Sequence, residues 1–239
     1  MKLKKHLNHI ILCLIPAILG SICSLNAQID NGIYISEVDN VQHELKIDNN
    51  YFIHSVYSEA PAKFIKTVGG FYTDQNNTLN VKLEFNSDYE TDGQREIKIP
   101  YSFEDGDVSL EIPEKVTFGT AAPSYRQDLD GQWLFATRGP DEGQERRGDE
   151  NPRKTLKFLL NGRFQWIAYQ IETMKFSGTG GGSFSSQNGE YVENIEYFSK
   201  DNSRVGASLK FNYELKDDDW HHTGNNSKGE PMYEIWSRR

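Results

Sequence analysis

The feature that most limits how this chain can fold is that it matches itself, without a gap, at an offset of 112 residues. Phe52 falls on Phe164, Tyr57 on Tyr169, Lys63 on Lys175, Phe64 on Phe176 and Thr67 on Thr179. The register continues through Gly69-Gly70 on Gly181-Gly182, Gln75-Asn76 on Gln187-Asn188 and Glu84 on Glu196. Beyond that, Lys98 meets Lys210, Tyr101 meets Tyr213, and Asp105 and Asp107 meet Asp217 and Asp219. Self-similarity at one fixed spacing marks an internal duplication, in which one structural unit is built twice.

That unit is β-rich. Aromatic and β-branched residues alternate with polar ones at a period of two, cut by Gly, Asn and Asp, and helical periodicity is almost absent. Strands are predicted over 32–36, 44–47, 51–57, 63–72, 79–85, 96–103 and 108–112. A second series covers 132–136, 154–160, 163–171, 175–185, 190–198, 207–215 and 233–237, with Asn161-Gly162 as a hairpin turn between two of them. Seven or eight short antiparallel strands per copy lose their exposed edges most simply by closing, so each copy is expected to be a small antiparallel barrel, with a β-sandwich as the alternative. The units are placed at 28–120 and 130–239, divided where Ala121-Ala122-Pro123-Ser124 breaks the alternation. Residues 139–152 form a charged loop inserted in the second copy alone, either a solvated surface loop or a lid over a barrel mouth.

Residues 1–27 read as an export signal. Lys2, Lys4 and Lys5 precede an apolar core over 10–22, and Leu25-Asn26-Ala27 offers a cleavage site before Gln28. A membrane anchor needs roughly 20 apolar residues, and Pro16, Gly20 and Ser21 interrupt this stretch. A lipid anchor on Cys23 is disfavoured by Ile22, which stands where a small residue is wanted. The expected location is periplasmic or secreted, in a Gram-negative-type envelope, with no membrane insertion after cleavage. Cys13 and Cys23 both lie in the signal, so the mature chain is expected to carry neither disulfide nor thiol chemistry and to depend on core burial. Removing the three lysines takes the formal charge from −9 to −12, which disfavours nucleic acid and anionic membrane surfaces as partners.

Gly131-Gln132-Trp133 opens the second unit, and Arg238-Arg239 follows its last strand. The arrangement resembles the lipocalin and wider calycin pattern, in which a Gly-x-Trp tryptophan packs near the barrel base against an arginine from the last strand. The resemblance implies Trp133 and Arg238 as a barrel plug, an indole covered by a guanidinium. A further set comprises Arg153-Lys154-Thr155-Leu156-Lys157, Arg163-Phe164-Gln165-Trp166, Gly178-Thr179-Gly180-Gly181-Gly182, Glu193-Asn194-Ile195-Glu196 and Trp220-His221-His222. These runs resemble a lipocalin-like family of secreted proteins from Bacteroidetes-type bacteria, over most of residues 130–239. The resemblance implies a fold and an envelope location, and no activity. In the first copy Tyr34 stands where Trp133 would be, which leaves that copy without the plug.

Duplication also supplies a comparison within one chain: shared positions serve the fold, and positions rich in one copy but bland in the other are candidates for function. Arg163 stands opposite Tyr51, Trp166 opposite His54, Arg204 opposite Asp92, and Trp220-His221-His222 opposite Val108-Ser109-Leu110. The site is therefore expected in the second unit, with Arg163, Gln165, Trp166, Asn194, Trp220, His221 and His222 contacting a small amphiphilic or polar ligand in an aromatic-lined pocket. Strand parity puts Arg163, Gln165, Ile167 and Tyr169 on one face, and Phe164, Trp166, Ala168 and Gln170 on the other. Likewise Tyr191, Glu193, Ile195 and Tyr197 oppose Val192, Asn194, Glu196 and Phe198. Both faces are mixed, so parity leaves the lumen side open.

Two other readings stand beside binding. One is an enzyme acting on a sugar-like or other polar substrate through His221 or His222 with Glu193 or Arg163. The other is a structural module with filled barrels. Glu193 and Glu196 fall on opposite faces and make a poor acid–base pair. Adjacent strand residues such as His221 and His222 also diverge, and no ligand spacing supports a metal. No cofactor is expected: Gly178–Gly182 lacks the helix and Lys-Ser ending of a phosphate loop and reads as a bulge or barrel corner. Ser183 and Ser185 lack a nucleophile elbow.

Overall fold

The structure, a computed structural model, describes residues 28–121, 126–226 and 228–239. The export signal read from residues 1–27 lies outside the described residues, as does most of the break after Ala121. The first barrel runs β1 (Gly32–Val38), β2 (Val41–Asp48), β3 (Tyr51–Glu59), β4 (Ala62–Asp74), β5 (Thr78–Asn86), a helical turn α1 (Tyr89–Asp92), β6 (Glu96–Glu104), β7 (Asp107–Ile112) and β8 (Glu114–Thr120). The second runs β9 (Gly131–Arg138), β10 (Arg153–Leu160), β11 (Arg163–Gln170), β12 (Lys175–Gln187), β13 (Glu190–Phe198), β14 (Ser208–Lys216), β15 (Asp219–Asn225) and β16 (Pro231–Arg238). All neighbours are antiparallel and both sheets close, through β1 on β8 and β9 on β16. Two tandem eight-stranded barrels replace the sandwich alternative.

Strands β8 and β15 were not predicted. Strand β8 follows Pro113 directly and opens on Glu114-Lys115, and β15 carries Asp219, His221, His222 and Thr223 around a single Trp220, so neither shows clean alternation. The repeat is structural as well as sequential. Leu45 pairs with His54 as Lys157 pairs with Trp166, Val81 with Ile97 as Glu193 with Leu209, and Leu110 with Tyr101 as His222 with Tyr213.

The shared glycine pairs explain how the copies meet. Register shifts between Gly69 and Gly70 in one barrel, and between Gly181 and Gly182 in the other. A Cβ on Gly70 would sit 2.0 Å from the Lys82 carbonyl oxygen, and one on Gly182 would sit 2.1 Å from that of Asn194, with φ at +153° besides. Only glycine allows this approach. Glu84 and Glu196 become the extra residues of the two bulges, and the chain beyond changes face. Tyr197 therefore leaves the face of Tyr191, Glu193 and Ile195, contrary to simple parity, and turns outward against Tyr57 at 4.4 Å between rings.

Outward is where the other barrel lies. Ile33, Tyr51, Ile53 and Phe85 of the first barrel share one buried cluster with Leu134, Leu156, Phe158, Ile167 and Tyr169 of the second. Equivalent residues face each other across this seam: Phe64 stacks on Phe176 at 6.2 Å and 9°. Gln165 Nε2 donates to both Thr67 and Thr179, at 3.2 and 3.1 Å, and its Oε1 accepts from Ser55 at 2.9 Å. Tyr51 and Tyr169 both donate to Glu84, at 2.7 and 2.8 Å. In the counterpart, Arg163 donates to Glu196 at 2.6 Å and to the Tyr57 hydroxyl at 3.1 Å. The two copies thus meet as the halves of a symmetric dimer do, about a pseudo-twofold.

The charged cluster at Arg163 departs from the symmetry. Arg163 also pairs with Glu44 at 2.9 Å, and Glu44 holds Lys46 at 2.6 Å, with both Glu44 and Lys46 fully buried. The second barrel has Leu156 and Phe158 at those positions. Burial would raise the Glu44 carboxyl, but the charges of Lys46 and Arg163 override it and hold it at about 2. Its folded pKa lies below the unfolded value, so its stabilisation is complete above the unfolded value and is lost as pH falls toward 2. Denaturant midpoints should fall between about pH 4.5 and about pH 2. Replacing Arg163 with Met should lower the unfolding free energy by about 3 kcal/mol, since it strips a buried carboxylate of one partner. Urea titration checks both.

Candidate functional site in the C-terminal barrel

Closure gives the second barrel an inner face, and the charged side chains on it are the ones the first barrel lacks. At the closed end, Trp133 is fully buried and donates its indole N–H to the Leu129 carbonyl at 2.8 Å. The Arg238 guanidinium lies over its ring at 4.1 Å and donates to the Asp130 carbonyl. Trp220 packs edge-on against Trp133 at 5.8 Å and stacks on Trp236 at 5.8 Å, so the floor of the lumen is aromatic.

Above that floor, alternation on β10 sends Leu156 and Phe158 to the seam and Lys157 inward. Lys157 Nζ donates to Glu193 at 2.8 Å and lies 4.9, 5.0 and 5.2 Å from the rings of Trp220, Tyr191 and Trp236. Glu193 also accepts from the Tyr191 hydroxyl at 2.8 Å. A buried ammonium here is neutralised by one carboxylate and surrounded by π-faces, which compensates its desolvation. His222 comes next, its ring 4.5 Å from Phe211 and 5.0 Å from Trp220. Neither ring nitrogen has a hydrogen bond, and the nearest carboxylate, Glu234, stands 3.7 Å from Nδ1, beyond hydrogen-bond reach. Burial, reinforced by Lys157, lowers this imidazole to about 4 against the opposing pull of Glu234 and Glu193. His222 is thus neutral at physiological pH, with one donor and one acceptor unspent. Glu234, whose indole partner is Trp236 at 3.2 Å, is held below the ordinary carboxylate range: burial pushes it up, but His222 and Lys157 outweigh that.

Together these groups border a cavity of about 260 Å³, walled by Trp166, Phe211, Met232 and Trp236 and reaching Asn225 and Asn226 at the mouth. Of the expected contact residues, Trp166 and His222 line this cavity, and Trp220 lies beneath it. His221 points outward to the Tyr233 hydroxyl at 2.8 Å, and Asn194 lies on the outer surface beside Ser183. Arg163 and Gln165 are in the seam, because their face of β11 looks at the first barrel. The lumen draws its charge from Lys157, Glu193 and Glu234. The first two carry the signal that singled out His222: Lys157 stands where the first copy has Leu45, and Glu193 where it has Val81.

The inserted loop runs along the barrel wall. Arg147 N–H donates to the Ala136 carbonyl at 2.8 Å, its guanidinium covers Phe135 at 5.2 Å, and Arg146 pairs with Asp219. None of residues 139–152 borders the cavity. Among the described residues, no group of three or more His, Asp or Glu is arranged to hold a metal. No protein family and no curated protein matches the chain.

Two outcomes follow. The His222 ring should titrate near pH 4 by NMR, far below an exposed imidazole. Lys157→Leu alone should destabilise the barrel by about 3 kcal/mol, because it leaves Glu193 buried without its cation, whereas adding Glu193→Val should recover most of the loss. The double variant recreates the Leu45 and Val81 arrangement of the first barrel, and thermal or urea unfolding of both variants measures the difference.

Proposed function

We propose that this is an exported, lipocalin-like binding protein whose C-terminal barrel takes one small amphiphilic ligand. The observation that carries the reading is His222, buried in an aromatic lumen beside a cavity, with neither ring nitrogen hydrogen-bonded. A buried imidazole without hydrogen bonds is costly unless something else meets it. A ligand group that both donates and accepts, such as a hydroxyl, supplies that partner. Trp166, Phe211, Trp236 and Met232 would enclose its apolar body, with Asn225 and Asn226 available to a second polar end. Lys157 and Glu193 already satisfy each other, so their part is to shape the lumen. Export rests on the basic and apolar pattern of residues 1–27.

Native mass spectrometry of protein purified from its own host is the test. A small molecule should accompany the wild-type chain and be lost from a His222→Leu variant. No co-purifying molecule, together with no thermal shift across a metabolite panel, would overturn the reading. A second reading, an enzyme on a polar substrate, draws on Glu234 standing 3.7 Å from His222. Chemical turnover of the bound compound would favour it over simple binding.

A further inference from the structure

The first barrel, bland in sequence, has an inner cavity of its own. Between β3–β6, the β5–β6 connection and the β7–β8 turn lies a space of about 520 Å³. On its inner wall stands His54, 1% exposed, and its Nδ1 has no hydrogen-bond partner. The other ring nitrogen, Nε2, lies 3.2 Å from His43 Nδ1, and Phe118 meets both rings edge-on, at 6.4 and 6.0 Å. This imidazole pair has two neutral arrangements. When His43 donates to His54, the His54 Nδ1–H is left as an unspent donor; when the bond reverses, that nitrogen becomes an unspent acceptor. Burial lowers both histidines, His54 further through His43 and both through the charge of Lys66, so the Lys66 ammonium acts directly on the pair. Lys66 lines the same cavity, on the strand paired with β3, and has no ion-pair partner among the described residues.

The rim has the opposite sign. Asp88, Asp92, Glu96 and Glu111 border the opening, with Lys98 the one other cation there. The rim is built: Asp92 Oδ1 accepts from Asn86 Nδ2 at 2.8 Å and from the Gln94 N–H at 2.9 Å, and Asn86 Oδ1 accepts from the Asp88 N–H at 2.9 Å. A simple anion is repelled by four rim carboxylates against one rim lysine, and a simple cation by Lys66 further in. A molecule carrying both charges suits both ends.

We infer that the N-terminal barrel holds a second binding site, separate from the C-terminal lumen, for a small zwitterion of the amino-acid class. Its carboxylate accepts from His54 Nδ1 and Lys66 Nζ, and its ammonium faces the carboxylates of the rim. The inference stands apart from the C-terminal reading, since it uses no residue of that barrel.

The test is an NMR titration of the full, ¹⁵N-labelled chain with the common L-amino acids. For leucine the matched controls are leucine methyl ester, which lacks the carboxylate, and 4-methylpentanoate, which lacks the amine. The expected result is that an amino acid shifts the resonances of His54 and Lys66, while its ester and its deaminated analogue bind at least about tenfold more weakly. Lys66→Met, at a half-buried position whose loss leaves the core intact, should abolish the response. His222→Leu should leave it unchanged, so failure here is distinguishable from failure of the C-terminal site. The inference is overturned if no amino acid shifts these resonances, if either control binds as well as its parent, if Lys66→Met still responds, or if neutral monosaccharides bind there instead.

Discussion

Arg163 holds the molecule together at its most demanding point. Its guanidinium reaches Glu196 in its own barrel and Glu44 in the other, with the Tyr57 hydroxyl between them. Glu44 also has Lys46 beside it, but it shares the Arg163 guanidinium with Glu196, so the charge balance of the seam is complete only when the two barrels are docked. Tyr51, Tyr169 and Arg239 do the same for Glu84, with Arg239 at 2.6 Å. Both glutamates reach the seam because a glycine-enabled bulge turns them there, so backbone geometry comes before the electrostatics in the chain of causes.

Strands β3 and β11 consequently have two dry faces with different duties. On β11, Gln165 bridges two threonines of opposite barrels while its neighbour Trp166 walls a cavity. On β3, Ser55 joins that bridge while His54 looks into the other lumen. The outer faces dock on one another, while the inner faces enclose different contents: an aromatic box around Lys157 in one barrel, a polar space around His54 in the other.

Much of this was legible in the sequence. The offset of 112 gave the register, the glycine pairs marked the bulges, and period-two alternation located most strands. What escaped did so for physical reasons. Parity identifies a lumen only when the opposite face is wet, and β3 and β11 are buried on both faces, so Arg163 and Gln165 read as lumen groups when they are seam groups. The bulge at Glu196 reversed the parity of Tyr197 without a visible mark in the alternation. Lys157 was overlooked because lysine is ordinarily a surface residue. Its counterpart Leu45 shows that the position is internal, and the comparison that found His222 finds Lys157 as well. His54 was discounted by that same comparison, which ranks the copies by richness and so passes over a copy whose polar group is simply different.

The pseudo-twofold has a consequence for how such a chain can change over generations. Near the axis some residues meet their own duplicates: Phe64 stacks on Phe176, and one glutamine spans Thr67 and Thr179. A substitution on one side is met at once by an unaltered partner on the other, so drift at these positions is tied between the halves. Inner-face positions such as Leu45 and Lys157 have no such tie and are free to part company. An exchange of DNA between the two halves would therefore yield a hybrid that still docks along its outer face while carrying the wrong interior.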